Sequence, residues 1–331
     1  MSGFSSERVK ALESDWRNLF DQQLKGCEGD DSAVAEKIYQ AFLGNPRIAN
    51  SERARSAMRD IVYDIRSLYN PNRYHAYFHA GHVLLSASLL SKTLFIPLSI
   101  MDHFALLFSA LIHDIGHEGV FNSTLVSEGH AVAITYNDVS CAEMHSIRTG
   151  LDILKKNQLE LGFTQEDYIY LRKIIVDLVL NTDLADPWRG KTFKLRYDQF
   201  SEDGRLDMKN DNCKLVGMIL MLKMSDVSSL LQSFETVLEW AHRFFDEQSI
   251  AFLNGRGPPV TSEVFDRNQV MFLNGYCLDL VHMVEKSGIS CIPGSIQGNI
   301  TESMDKWKAD GKKHVVLWEE ALVRGKLEKG Y

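Results

Sequence analysis

"SIMDHFALLFSALIHDIGH", residues 99–117, is the stretch whose reading decides the fold class. Ile100, Phe104, Leu107, Leu111 and Ile115 recur at steps of three and four, the period of an apolar helix face. The run closes on His113, Asp114 and His117, with Gly116 and Gly119 placed to end the helix. His113 and His117 stand one helical turn apart. A histidine beside a carboxylate there has two readings: ligands for a divalent ion, or histidines drawn to the negative end of the helix dipole. The pair alone leaves both open.

Outward from this stretch the helical period continues. "EDYIYLRKIIVDLVLNTD" (166–183) and "LKMSDVSSLLQSFETVLEWAHRFF" (222–245) repeat it. The best strand candidate is short, "KTFKLRYDQF" (191–200). Turn signals such as "YNPNR" (69–73), "DPWRGK" (186–191) and "NGRGPPVTS" (254–262) are too brief for interdomain linkers. The expectation is an all-α, compact multi-helix domain over 56–331 with little or no β structure. Residues 1–55 precede it as a helical segment that could pack, cap the site or dimerise.

Composition narrows the class. With 331 residues, 45% of them apolar, the chain buries a sizeable core without disulfides or structural zinc. Cys27, Cys141, Cys213, Cys277 and Cys291 are odd in number and widely spaced, which fits a reducing compartment. No apolar leader opens the sequence, and the most apolar run, "LVGMILMLKM" (215–224), is too short to cross a bilayer. A cytoplasmic protein without a membrane span is expected. A net charge of −8 and no basic block exclude a nucleic-acid partner. A phosphorylated small molecule remains open if metal ions supply positive charge.

Seven of the eleven histidines lie between 75 and 130. "YHAYFHAGH" (74–82) sets His75, His79 and His82 at the spacing of one helix face. Asp226 follows the apolar run 215–224, where an ionised carboxylate is costly unless it is paired or binds a metal. A histidine on one helix, His-Asp on a second and an aspartate on a third would make a metal cage.

The order H…HD…D resembles the HD superfamily of metal-dependent phosphohydrolases. More closely, the chain resembles the catalytic domain of the class I 3′,5′-cyclic nucleotide phosphodiesterases, as a divergent member. The resemblance rests on "YHAYFHAGHV" (74–83), "HDIGHEGVFNSTLV" (113–126), "TYNDVSCAEMH" (135–145), "LNTDLADPW" (180–188), "LKMSDVSSL" (222–230), "RNQVMFL" (267–273) and "ITESMDKWK" (300–308). It implies that His79, His113, Asp114 and Asp226 hold a first ion, zinc in character. Asp114 would also bridge to a second ion, magnesium or manganese, whose waters His117 and Glu143 would hold. His75 would be the general acid. Gln269 and Phe272 would take the base, with Phe244 as an opposite wall and Asn122 among the substrate-binding residues.

That residue set suits the implied reaction, hydrolysis of cAMP or cGMP to the 5′-monophosphate. Two ions about 3.5–4 Å apart can share a hydroxide and polarise phosphoryl oxygens. An imidazolium, ordinarily titrating near about 6.5, can protonate the departing 3′-oxygen. A glutamine amide offers both donors and an acceptor, so it can meet either purine. Four positions depart from the family pattern: Ala76 replaces asparagine, His82 aspartate, Glu118 proline and Ser229 asparagine. The stretch 247–267 keeps only part of its pattern. Two alternatives stand beside the leading reading: an HD phosphohydrolase for another nucleotide or phosphoester, and a degenerate regulator that binds cyclic nucleotides without cleaving them. A homodimer or a regulatory partner is left open.

Overall fold

Three helices buried nearly all round form the centre of the molecule, and each ends on or contains a residue singled out above. The computed structural model describes residues 6–18 and 30–329. Expectations for residues 1–5 and 19–29, Cys27 among them, lie outside the described residues. In chain order the helices are α1 (Ser6–Arg17), α2 (Asp31–Leu43), α3 (Glu52–Arg66), α4 (Tyr77–Ser91), α5 (Ile100–Ile112), α6 (Asn122–Ser127), α7 (Ala131–Thr135) and α8 (Cys141–Asn157). They continue as α9 (Gln165–Leu180), α10 (Pro187–Phe200), α11 (Asp211–Asp226), α12 (Phe234–Leu253), α13 (Ser262–Phe272), α14 (Leu278–Ser287) and α15 (Ser295–Lys329). Among the described residues there is no strand, only two isolated bridges, Leu94 with Ser290 and Glu202 with Arg205. The chain is all-α.

Helices α4, α5 and α11 pack on one another. Their sequences lack a wide polar face, so each is enclosed: Phe104 to Ile112 and Val216 to Ser225 are buried without interruption. Helix α2 covers α4 from one side, and α9 covers α5 and α11. The N-terminal helix joins the same core. Trp16 is fully buried and its Nε1–H donates to the Leu231 carbonyl at 3.5 Å.

Two sequence expectations change. Residues 191–200 are helical, within α10. Asp186 caps that helix by accepting from Trp188 N, and Pro187 opens its first turn. Phe193 and Tyr197, four apart, are its buried residues, so the run keeps a helical rather than an alternating period. The second change concerns the opening stretch. α5 stops at Ile112, and Gly116, at φ +71°, turns the chain where a side chain would meet the His145 ring. His113 and His117 therefore lie at a helix end and in the turn beyond it, not on successive helical turns.

The cysteines Cys141, Cys213, Cys277 and Cys291 are free. No described helix is long and apolar enough to cross a membrane.

Candidate metal centre and substrate cavity

The first cage forms where α4, α5 and α11 converge. His79 lies on α4, His113 caps α5, Asp114 follows it, and Asp226 is the last residue of α11. His79 Nε2 is 3.1 Å from Asp226 Oδ1 and 3.7 Å from Asp114 Oδ2. His113 Nε2 is 3.0 Å from Asp114 Oδ2 and 3.4 Å from Asp226 Oδ1. Despite these short separations, His113 Nε2 and Asp114 Oδ2 are buried without a properly directed hydrogen bond. His79 Nε2 and Asp226 Oδ1 are hydrogen-bonded, while His79, His113 and Asp114 bring one donor atom each close enough to share an ion, with Asp226 beside them.

The ring orientations agree. His113 Nδ1–H donates to the Ala110 carbonyl at 2.9 Å, which leaves Nε2 as the atom offered to the cage. His79 differs, because its Nδ1 is buried with no partner. Burial alone would disfavour the Asp226 carboxylate, yet His113 and His79 hold it well below the usual carboxylate range. Burial likewise opposes the charge on Asp114 and is outweighed by His113.

A second constellation stands beside the first. The helix period predicted His75 and His79 on one helix face; the helix instead begins at Tyr77, and His75 precedes it. The physical reason is Glu247 of α12, buried at 4% exposure. Its Oε2 accepts from the backbone of Tyr74 (2.8 Å) and His75 (2.9 Å), and Oε1 lies 2.5 Å from His75 Nδ1. Burial works against the His75 imidazolium, but the Glu247 carboxylate prevails and raises it to about 9. Glu247, also against burial, is lowered to about 2 by His75.

The His117 ring stacks on His75 at 3.9 Å and 25°. Burial and the neighbouring His75 charge push His117 down to about 4. His75, His117 and Glu247 also cluster closely enough to invite a metal reading. Two of these nitrogens are already engaged, however: His75 Nδ1 faces Glu247 Oε1, and His117 Nδ1 accepts from Gly119 N.

Every residue to which the resemblance gave a site role borders one cavity of about 360 Å³. That size falls in the range of roughly 300–1,000 Å³ typical of small-molecule sites. His75, His79, His113, Asp114, His117 and Asp226 form its floor, and Asn122, Glu143, Phe244, Gln269 and Phe272 complete it. Asp183, from "LNTDLADPW", also lines it. Four carboxylates and no lysine or arginine border this cavity, so an anionic ligand enters only if cations offset them. Burial and Asp183 together raise Glu143 to about 7. Asn122 Nδ2 donates to Glu143 (2.9 Å) and Asp183 (3.4 Å), and its Oδ1 accepts from Ala142 N.

Gln269 and Phe272 occupy the last turn of α13, just before a π-helical turn, Leu273–Cys277. Such widened turns recur at functional sites. Phe272 stacks on Tyr276 at 5.1 Å, and the Gln269 amide makes no hydrogen bond to any described residue. Ser229 is buried, and the wall beside it is made by Val227 and Leu230. His82 is buried in a polar network, with Nδ1 3.3 Å from Ser228 Oγ and Nε2 3.2 Å from Gln232 Nε2. Burial pushes it down to about 3, so it is neutral and away from the cage.

Sequence reasoning missed Glu247. Its neighbours in sequence, Asp246, Gln248 and Ser249, are polar, so no local pattern marks it out.

Comparison with known proteins places these features. The family model described as 3′5′-cyclic nucleotide phosphodiesterase matches residues 74–289. A probable 3′,5′-cyclic phosphodiesterase of Caenorhabditis elegans is 24% identical over 250 residues, 72% of this chain and 32% of that protein. A high affinity cAMP-specific and IBMX-insensitive 3′,5′-cyclic phosphodiesterase 8A of Mus musculus is 28% identical over 64% of this chain and 29% of its own length. A cGMP-specific 3′,5′-cGMP phosphodiesterase of Dictyostelium discoideum is 24% identical over 78% of this chain and 57% of its own. The chain thus spans about a third of the first two relatives. Its fold matches the crystal structure of the phosphodiesterase domain of a RhoPDE fusion protein from the choanoflagellate Salpingoeca rosetta. That match has a TM-score of 0.73 at 20% identity and covers 86% of this chain and 93% of the other.

Proposed function

We propose that this chain, which belongs to the 3′,5′-cyclic nucleotide phosphodiesterase family, hydrolyses cAMP and cGMP to their 5′-monophosphates. The observation that carries the reading is the cage itself, four donors from three buried helix ends with His113 Nε2 and Asp114 Oδ2 left unbonded. His79, His113, Asp114 and Asp226 would hold the first ion, and two imidazoles with two carboxylates suit zinc. Asp114, with Glu143 and His117 close by, suits a second, oxygen-preferring ion such as magnesium or manganese. When bound, such ions supply Lewis acidity toward the phosphoryl oxygens and lower the pKa of water toward neutrality.

The chain's own residues do the remaining work. His75, kept protonated by Glu247, gives its proton to the departing 3′-oxygen. Phe272 and Phe244 offer apolar faces to the base. Gln269 has no protein partner to fix its amide, so it can turn to suit adenine or guanine. This supports acceptance of both nucleotides. Asn122 borders the cavity, but its amide is already used by Glu143, Asp183 and Ala142 N. Its role is therefore to hold Glu143.

The same reading treats 56–331 as the catalytic body and 1–55 as a helical segment packed on it, in a cytoplasmic setting. Burial of Trp16 supports the packing. The deciding experiment is cAMP and cGMP hydrolysis with zinc and magnesium present, alongside metal analysis of the purified protein. Bound metal without hydrolysis of either nucleotide would remove the catalytic reading and leave a binding protein.

A further inference from the structure

Two of the departures from the family pattern, Glu118 and the segment 247–267, meet in space. Arg256 follows α12 and donates through Nε and Nη2 to the two carboxylate oxygens of Glu128, at 2.9 and 2.8 Å. Its Nη1 donates to Glu118 Oε2 at 3.1 Å. One planar cation therefore ties together three loops distant in sequence. Bidentate pairing of this kind fixes geometry as well as charge, and a lysine cannot reproduce it. The Arg256 side chain is 26% exposed, and a small apolar cluster of Val120, Leu125, Ala133, Cys141 and Ala251 brings the same segments together.

The clamped loop matters because of what flanks Glu118. On one side is His117, stacked on His75. On the other is Gly119, at φ +69°, where a Cβ would lie 3.4 Å from Glu247 Cγ and 3.3 Å from Asn72 Oδ1. Gly119 N also donates to His117 Nδ1. The loop thus leans on two of the groups that contact His75, the carboxylate beside it and the ring stacked on it. Asn70 and Asn72 hold the loop from within, through the His117 carbonyl, and Arg256 holds it from outside. Glu247 lies on the helix that leads into Arg256, so both ends of the clamp belong to the segments that carry His117 and Glu247.

We propose that Arg256 is a positioning residue: by pairing with Glu118 and Glu128 it keeps His117 stacked on His75 and so fixes the proton-donating imidazole. Only its kinetic consequence rests on the catalytic reading above. The test is Arg256→Met, which keeps the aliphatic stem and removes both ion pairs, with Arg256→Lys as the conservative variant and Arg148→Met as an unrelated surface control. Misplacing a catalytic group by about 1 Å can cost roughly 100-fold, and a loosened stack should cost less, so kcat should fall about three- to ten-fold with KM within about two-fold. Arg256→Lys should recover part of the loss. Salt at about 1 M, where the Debye length is about 3 Å, should narrow the ratio of wild type to Arg256→Met.

The second readout needs no catalysis. The ring-proton resonances of His75 and His117, shifted by mutual stacking, should move in Arg256→Met and stay in place in Arg148→Met. A merely structural role would lower the melting temperature and leave both readouts of the folded protein unchanged. Either readout unmoved in Arg256→Met overturns the proposal. If the wild-type protein hydrolyses no cyclic nucleotide, the catalytic reading fails, and the resonances alone decide whether the clamp sets the stack. Should Arg256→Met not fold, Glu118→Gln breaks one arm of the clamp and is read in the same two ways.

Discussion

Replacing Glu247 by glutamine removes one charge from beside His75 and keeps the side chain's shape. In the wild type, burial disfavours the His75 imidazolium and Glu247 more than restores it, so His75 titrates at about 9 in place of 6.5. At 1.36 kcal/mol per pKa unit, that separation corresponds to roughly 3 kcal/mol of preference for the charged form. Without the carboxylate, burial is opposed only by the charges of Asp114 and Asp226, and His75 should fall back to near about 6.5. Near pH 7.5 the protonated fraction then falls from nearly all to about a tenth or less. For a group that must donate a proton, kcat at that pH should drop about ten-fold or more. The ratio of wild type to variant should shrink toward about pH 5.5, where both are protonated. Bound cations would lower both titrations and leave their difference. The assay is kcat against pH for both proteins: activity should decline as pH rises through the His75 pKa, and earlier in the variant. An alkaline limb at the same pH in both would refute the assignment of His75 and Glu247 as donor and orienter. The pair also stabilises the fold. His75's contribution is fully present below about 6.5 and lost as pH rises through about 9; Glu247's is present above 4.5 and lost as pH falls through about 2.

Asp114→Asn and Asp226→Asn should each strip the first ion and abolish hydrolysis together; metal retained at full stoichiometry in either would exclude that residue as a ligand. Gln269→Ala should raise KM for cyclic nucleotides while sparing a small chromogenic phosphodiester, and equal effects on both would take it out of the base pocket. A metal on His79 Nε2 places the proton on Nδ1, which is buried without an acceptor. Lost outer contacts of this kind lower metal affinity about 10–100-fold, so mild chelation should empty the cage; metal surviving prolonged dialysis against chelator argues the opposite. Ala76 is the N-cap of α4 and offers no side-chain cap. Ala76→Asn should therefore raise stability by about 1 kcal/mol, read as a higher denaturant midpoint, and an unchanged midpoint would deny it a capping role.

How far the sequence could be read depended on which atoms carry the information. The cage was legible because its ligands interrupt apolar helices, where a histidine or carboxylate is costly and therefore conspicuous. His79, His113 and Asp226 all stand out in this way. The period misplaced His75, since side-chain spacing cannot show that a distant carboxylate, Glu247, takes the amides of Tyr74 and His75 and delays the helix to Tyr77. It also set His113 and His117 one helical turn apart, although Gly116, placed in sequence to end the helix, already turns the chain between them at φ +71°. α10 was hidden for a different reason. Its buried face is narrow, only Phe193 and Tyr197, so neither period dominates the stretch, and the cap at Asp186 settles it.

The departures from the family pattern follow the same physics. The ligands sit at the ends of three helices that are enclosed on all sides, so their positions are set by packing that one substitution elsewhere hardly alters. Two of the departing residues meet partners that absorb the change, whereas the buried Ser229 hydroxyl has none. His82 meets Ser228 and Gln232 and stays neutral; Glu118 meets Arg256; Ser229 lies behind a wall made by Val227 and Leu230. His79 keeps its place in the cage while its Nδ1 has no acceptor, so the divergence should be felt first in how tightly the ion is held, before the identity of the ligands is ever lost.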